Sequence, residues 1–199
     1  MNVVRLKHQM RDYAVRNKLE IPRVMWNSPI WGPAARKLAY RVSKHYGHAT
    51  TNVNSLWAHF NPMTMREKLL VQAKKAVAER WSKGSIQNWY GMGDVPWCAE
   101  TWSFIKAKAG SSSPKMAYVP AILEAAAHGR DGLALTSHPL PGDGVIYDWN
   151  YDHVSDHIET LLTKFGAVIT TAAGNSGPPY VVKNTRTTAN VIAWVRVTR

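Results

Sequence analysis

Leu69, Leu70, Ala73, Ala76, Val77 and Trp81 recur at helical spacing and run up to Gly84. Just ahead of them, Thr64-Met65-Arg66-Glu67 has the Ser/Thr-x-x-Glu spacing in which Thr64 caps the Glu67 amide and Glu67 reaches back. A second helix is expected over 97–109, with Pro96 before it and Gly110 behind it. A third is expected from Pro114 to His128, with Ser113 as cap and Pro120 forcing a bend. After Pro139-Leu140-Pro141-Gly142-Asp143-Gly144 the pattern turns to strands. Val145-Ile146-Tyr147 is a short apolar strand, and His157 to Thr163 with Ala167 to Thr171 form an antiparallel pair around Lys164-Phe165-Gly166. Asn190 to Val197 alternates apolar and polar positions as a last strand. Helices first and strands later is an α+β pattern.

The first sixty residues read differently. Val3 to Lys18 and Pro33 to His45 have helix-compatible composition, and turn-rich Asn27 to Pro33 lies between them. A polar stretch, Gly47 to Asn54, precedes Phe60-Asn61-Pro62. The expected division is therefore a small helical module over 1–62 and a second domain over 63–199.

Composition narrows the picture a little. Hydrophobic residues make up 45% of the 199, enough for a core, and the formal charge of +12 favours polyanionic partners. Nucleic acid and an anionic bacterial wall suit that charge equally, and no nucleic-acid motif supports the first. Met1 to Arg11 alternates apolar with basic residues, so neither a secretory signal nor a membrane span is expected. The one cysteine, Cys98, excludes an internal disulfide and leaves a buried spectator, a metal ligand or a reactive thiol.

Cys98 falls in the first turn of its expected helix, where the partial positive charge of the helix end favours thiolate. Of eight histidines, His157 is the best placed as a base, opening a strand after a polar turn. A hairpin centred near Phe165 sets position 157 opposite about 173, which brings Ala173-Gly174-Asn175 beside it. Asn175 is then the candidate to hold the far imidazole nitrogen and fix the tautomer.

With those residues in place, Trp89-Tyr90-Gly91-Met92-Gly93-Asp94-Val95-Pro96-Trp97-Cys98-Ala99 closely resembles the nucleophile segment of CHAP domains. These are the cysteine, histidine-dependent amidohydrolases/peptidases of phage endolysins and bacterial autolysins. Pro141 to Trp149 resembles that family's proline-glycine-aspartate turn and strand, Asp156-His157-Ile158 its histidine strand, and Ala173-Gly174-Asn175 its closing element. The resemblance spans about residues 65–199, within the few-residue slippage of sequence boundaries. It implies a papain-like fold and hydrolysis of a peptidoglycan amide, either muramoyl–L-alanine or within the stem peptide. Cys98 attacks, His157 shuttles the proton and Asn175 orients the ring. Amides at the helix start serve the oxyanion, with Tyr90 and Trp97 lining the substrate pocket. The expected protein is of endolysin type and requires no cofactor; without a signal, a span or a nucleic-acid motif it is expected to bind neither membrane nor nucleic acid and to pass from the host bacterial cytoplasm to the cell wall on release, with a monomer as the default state.

Two positions depart from the family. Ala173 stands where glutamate is frequent, and Glu159 stands where glycine is common, on the strand face of His157. Glu159 is either a replacement for the missing carboxylate or a solvated glutamate. If the machinery is incomplete, the alternative is a non-catalytic wall-binding protein that keeps the fold. Asp148-x-Asn150-x-Asp152 with Asp156 has the alternating oxygens of a calcium loop, although His153 stands where such loops want glycine. The other reading, which the turn-favouring Asp and Asn composition supports, is a plain polar turn. In the first module, Ser28 to Arg36 faintly resembles the Gly-Pro turn of small peptidoglycan-binding modules, and a plain helical extension is the other reading.

Overall fold

The computed structural model describes residues 1–47 and 49–199 and divides into two compact units, Met1–Met63 and Thr64–Arg199. Among the described residues no helix is long and apolar enough to cross a membrane.

The first unit holds helices α1 (Val3–Arg16), α2 (Pro33–His45) and α3 (Val53–Phe60). Leu6, Met10 and Ala14, four apart on α1, meet Leu38, Ala39 and Val42 of α2 and Leu56 of α3 in a separate core. Asn2 caps α1 by accepting from the Arg5 amide. The buried Lys7 ties the intervening loop to this core, its Nζ donating to the carbonyls of Met25 (2.9 Å) and Ser28 (2.7 Å). Helix α3 was not expected. It has only eight residues and one fully buried anchor, Leu56, and its cap Asn52 sits inside the stretch read as a polar connection.

The second unit is α+β. Helices α4 (Met65–Ala78), α5 (Lys83–Tyr90), α6 (Cys98–Lys108) and α7 (Val119–Ala127) precede six strands. The strands are β1 (Leu133–Leu135), β2 (Gly144–Tyr147), β3 (His157–Phe165), β4 (Val168–Ala173), β5 (Val182–Thr187) and β6 (Val191–Val197). They form one antiparallel sheet in the order β1-β6-β2-β3-β4-β5. The capping box at Thr64 and Glu67 forms as its spacing predicts.

Three expectations are corrected. The helix expected to reach Gly84 stops at Ala78; Arg80 takes a left-handed φ of 50°, and a new helix, α5, starts behind the Ser82 cap. The helix expected from Pro114 begins only at Val119, so Pro120 sits in a first turn that tolerates it and forces no bend. Ser113 and Pro114 instead accept from the ammonium of buried Lys106. Strands β1 and β5 were missed, the first for its three residues and the second for its polar sequence.

Helix α6 is the hub. Every residue from Cys98 to Lys106 is buried, as expected of a helix enclosed on all sides, here packed against α4, α5 and β3. Strand β3 is buried on both faces over its first six residues. Ile158 and Leu162 join the core beneath the helices, while Leu161 joins a smaller core with Val145, Tyr147 and Ile169 on the other face. Two glycines fix this packing. A Cβ on Gly174 would collide with Thr101 Oγ1 and the Trp97 ring, so its absence lets the end of β4 close onto the start of α6. Gly142 has a φ of 101°, and a Cβ there would overlap the Arg66 carbonyl. The next residue, Asp143, is fully buried and paired with Arg196 (2.7 Å).

Candidate active site

Cys98 is the first residue of α6 and is 4% exposed. The chain reaches it through a loop braced from α5. Gln87 Nε2 donates to the Val95 carbonyl at 3.0 Å, and Lys83 pairs with Asp94. The helix start carries no side-chain cap, so its first amides are free to meet negative charge. His157 opens β3 within hydrogen-bonding reach of the thiol and is 5% exposed. Burial pushes the Cys98 thiol up. The hydrogen bond and charge of His157 and the amides of Ile158 and Ala99 outweigh that and hold it below its ordinary value.

The other side of the imidazole meets Glu159. His157 Nε2 lies 3.1 Å from Glu159 Oε1, two residues along the same strand and therefore on the same face. Glu159 is 1% exposed, yet every oxygen site is used. Tyr147 OH donates to it at 3.0 Å, Asn184 Nδ2 at 3.0 Å and Arg186 Nη2 at 2.8 Å, and the Thr171 hydroxyl donates as well. Burial alone would raise this carboxyl; the His157 and Arg186 bonds reverse the effect and hold it far below the carboxylate range. For His157 burial works downward, and the bonds to Cys98 and Glu159 carry it up to about 9. The Cys98 thiol, the His157 imidazole and the Glu159 carboxyl thus form a buried row that ends on the half-buried Arg186 guanidinium. A thiol beside an imidazole is an arrangement that can serve nucleophilic chemistry.

In comparisons with known proteins, no family model and no curated protein matches this chain. Two solved structures are similar to it. One is the crystal structure of Ly7917, at 16% identity over 68% of this chain and 62% of that one, with a TM-score of 0.43. The other is the crystal structure of Ly7917 with the hydrolyzing product of MDP, at 15% identity over 68% and 63%, with a TM-score of 0.45. The match spans about three-fifths of that protein's length.

The position given to Asn175 is taken by Glu159. Asn175 lies just past β4, exposed, with a left-handed φ of 58°, and makes no hydrogen bond to His157 among the described residues. The pairing Thr160↔Ala172 does carry the chain to the right place, because Asn175 and His157 line the same cavity. Its backbone turns the amide outward, while β3 periodicity aims Glu159 inward. Trp97 is buried in the core against Gly174 and is not part of the lining of the cavity that His157 and Asn175 share. Tyr90 closes α5, half-buried, and hydrogen-bonds neither Cys98 nor His157 among the described residues.

Asp148 accepts from the amides of Tyr151 (2.7 Å) and His153 (3.0 Å), Asp152 from Val154 (2.8 Å) and Asp156 from Trp149 (2.7 Å). Asn150 Nδ2 donates to Asp152 at 3.0 Å, so these side chains build the turn itself. Among the described residues no three His, Cys, Asp or Glu side chains converge as a metal site.

Sequence reasoning missed Tyr147, Thr171, Asn184 and Arg186, the residues that fix Glu159. Asn184 and Arg186 alternate on β5, and that period of two was the available signal.

Proposed function

We propose that Thr64–Arg199 is a CHAP-type, papain-like cysteine hydrolase that cleaves a peptidoglycan amide, with Cys98 as nucleophile, His157 as proton shuttle and Glu159 as the group that orients the ring. The observation that carries the reading is the unbroken row from a thiol at a helix start, through imidazole, to a carboxylate held by Arg186. The resemblance of the Trp89–Ala99 segment and the Pro-Gly-Asp turn to CHAP domains supplies the substrate class. In this mechanism Cys98 attacks the carbonyl carbon and the amides at the α6 start stabilise the oxyanion. The imidazolium then protonates the departing amine, and water, deprotonated by His157, releases the acyl group. Glu159 keeps the imidazole in one tautomer and favours its charged form.

Ly7917 with the hydrolyzing product of MDP is a structure of a different protein, and the proposal stands on this chain's own residues. The wall-binding alternative rests on Ala173 and Glu159; in the reading proposed here Glu159 takes the carboxylate role, which its contact with His157 supports. An endolysin setting, with release from the host cytoplasm to the wall and action as a monomer without a cofactor, belongs to the same proposal. The helical unit Met1–Met63 is the candidate wall-binding module.

Digestion of purified peptidoglycans by wild-type and Cys98→Ala protein, read by mass spectrometry, tests it. Fragments from wild type alone are expected, and their new termini distinguish amidase from endopeptidase. Equal release by both proteins, or none by either from walls of several bacterial types, overturns the proposal.

A further inference from the structure

Beside His157 lies a cavity of about 410 Å³ lined by Trp149, His157, Asn175, Ser176, Asn184 and Arg186. Its wall is a set of donors. Arg186 spends Nε and Nη2 on Glu159 and Nη2 also reaches Ser176 Oγ at 3.5 Å, but Nη1 has no hydrogen-bond partner among the described residues. Its guanidinium carbon lies 5.0 Å from the Trp149 ring centroid, and Trp149 is stacked on Tyr147 at 4.5 Å. The free edge of the guanidinium is therefore fixed in place by two aromatic rings and an ion pair. The exposed Asn175 amide and the Ser176 hydroxyl add donors, and no carboxylate lines the space, because Glu159 lies behind Arg186 with its oxygens filled.

We infer that this cavity is a subsite for a carboxylate on the leaving half of the cleaved stem peptide, held by the free edge of Arg186 with Asn175 and Ser176. The inference rests on the proposed hydrolase reading, and it adds which part of the substrate meets which wall. The side follows from the chemistry: the imidazole must reach the departing nitrogen, so the groups flanking it face the leaving half. The ligand follows from the donor set. A planar guanidinium edge with two flanking donors suits a carboxylate and discriminates against its amide, which offers one oxygen and no charge. Where the cleaved amide lies ahead of the second stem residue, the group at issue is the α-carboxylate of that residue, D-glutamate, which some walls carry amidated.

The probe is L-alanyl-D-glutamate γ-methylamide, with its α-carboxylate either free or amidated. Binding to the wild-type protein is followed through the tryptophan indole N–H signals in NMR, and matched muropeptides are compared in kcat/KM. The free carboxylate is expected to bind about tenfold more tightly, the scale of one charge-assisted hydrogen bond, and to shift the Trp149 signal. Asn175→Asp, which places a like charge in the wall at a backbone conformation Asp tolerates, is expected to bring that ratio to about one. Equal binding of the two forms by wild type overturns the inference, as does an unchanged ratio in Asn175→Asp. Failure of the two readings is separable. Hydrolysis without discrimination defeats the subsite alone, whereas discrimination in binding without hydrolysis defeats the hydrolase reading and leaves an anion site.

Discussion

Glu159→Gln separates a triad carboxylate from a bystander. The side chain keeps its size, but the charge facing His157 at 3.1 Å and Arg186 at 2.8 Å is gone. Two cations on one neutral amide in a buried place resemble a broken buried ion pair, which costs about 3–5 kcal/mol. Against the roughly 5–15 kcal/mol of a typical domain, the variant is expected to fold with a clearly lowered Tm. The chemical effect comes through His157, carried from its ordinary 6.5 to about 9 jointly by Cys98 and Glu159. Removing the carboxylate lowers that value, and each tenfold taken out of the ion pair relative to the neutral pair corresponds to about 1.4 kcal/mol. Activity at neutral pH is then expected to fall about ten- to a hundredfold, with the alkaline limb of kcat/KM displaced toward lower pH. The assay is release of soluble fragments from purified walls across the pH range, paired with thermal unfolding and compared with Asn175→Gly. An alkaline limb that stays in place in Glu159→Gln refutes the reasoning, and so does one that moves in Asn175→Gly.

Other consequences are as specific. The wild-type kcat/KM should decline as pH rises through about 9, where His157 loses its proton, and a limb at the ordinary histidine value would contradict the ion pair. Stability follows the same sign: a raised histidine pKa contributes fully below 6.5 and its contribution is lost through about 9, so Tm measured by calorimetry should fall there. Gly142→Ala is expected to cost more than the roughly 1–2 kcal/mol of its left-handed backbone alone, because the new Cβ meets the Arg66 carbonyl, and urea unfolding measures it. Glu100 is fully buried and among the described residues neither oxygen reaches a partner at hydrogen-bond distance; burial pushes its carboxyl up, with Gln87 and Lys83 opposing. A raised carboxyl pKa makes stability fall as pH climbs through it, so Glu100→Gln should raise Tm at neutral pH and flatten that fall.

What the sequence disclosed follows from how local each determinant is. Cys98 at the start of α6 was readable because Pro96 and Gly110 punctuate that helix within a dozen residues, and the Thr64–Glu67 box because its partners are three apart. His157 and Glu159 share a face by strand periodicity alone, so their pairing was legible as a possibility. Its decision was not, since it depends on Tyr147, Thr171, Asn184 and Arg186 arriving from three other strands. The Asn175 expectation failed for a local reason of the opposite kind. Hairpin counting sets it beside His157, but the left-handed turn after Gly174, made where β4 closes on Thr101, swings its amide out into the cavity.

Strand β5 shows the same limit. Val182-Lys183-Asn184-Thr185-Arg186-Thr187 has little apolar content, so hydrophobic patterning passes over it, yet its alternate residues are the ones that neutralise a buried carboxylate. A strand whose inward face is polar is stable only beside an opposite charge, and such a charge lies on a different strand. An unexpected buried glutamate beside a histidine therefore calls for a distant cation. In this chain a polar, alternating segment past the last recognised motif is where that cation is found.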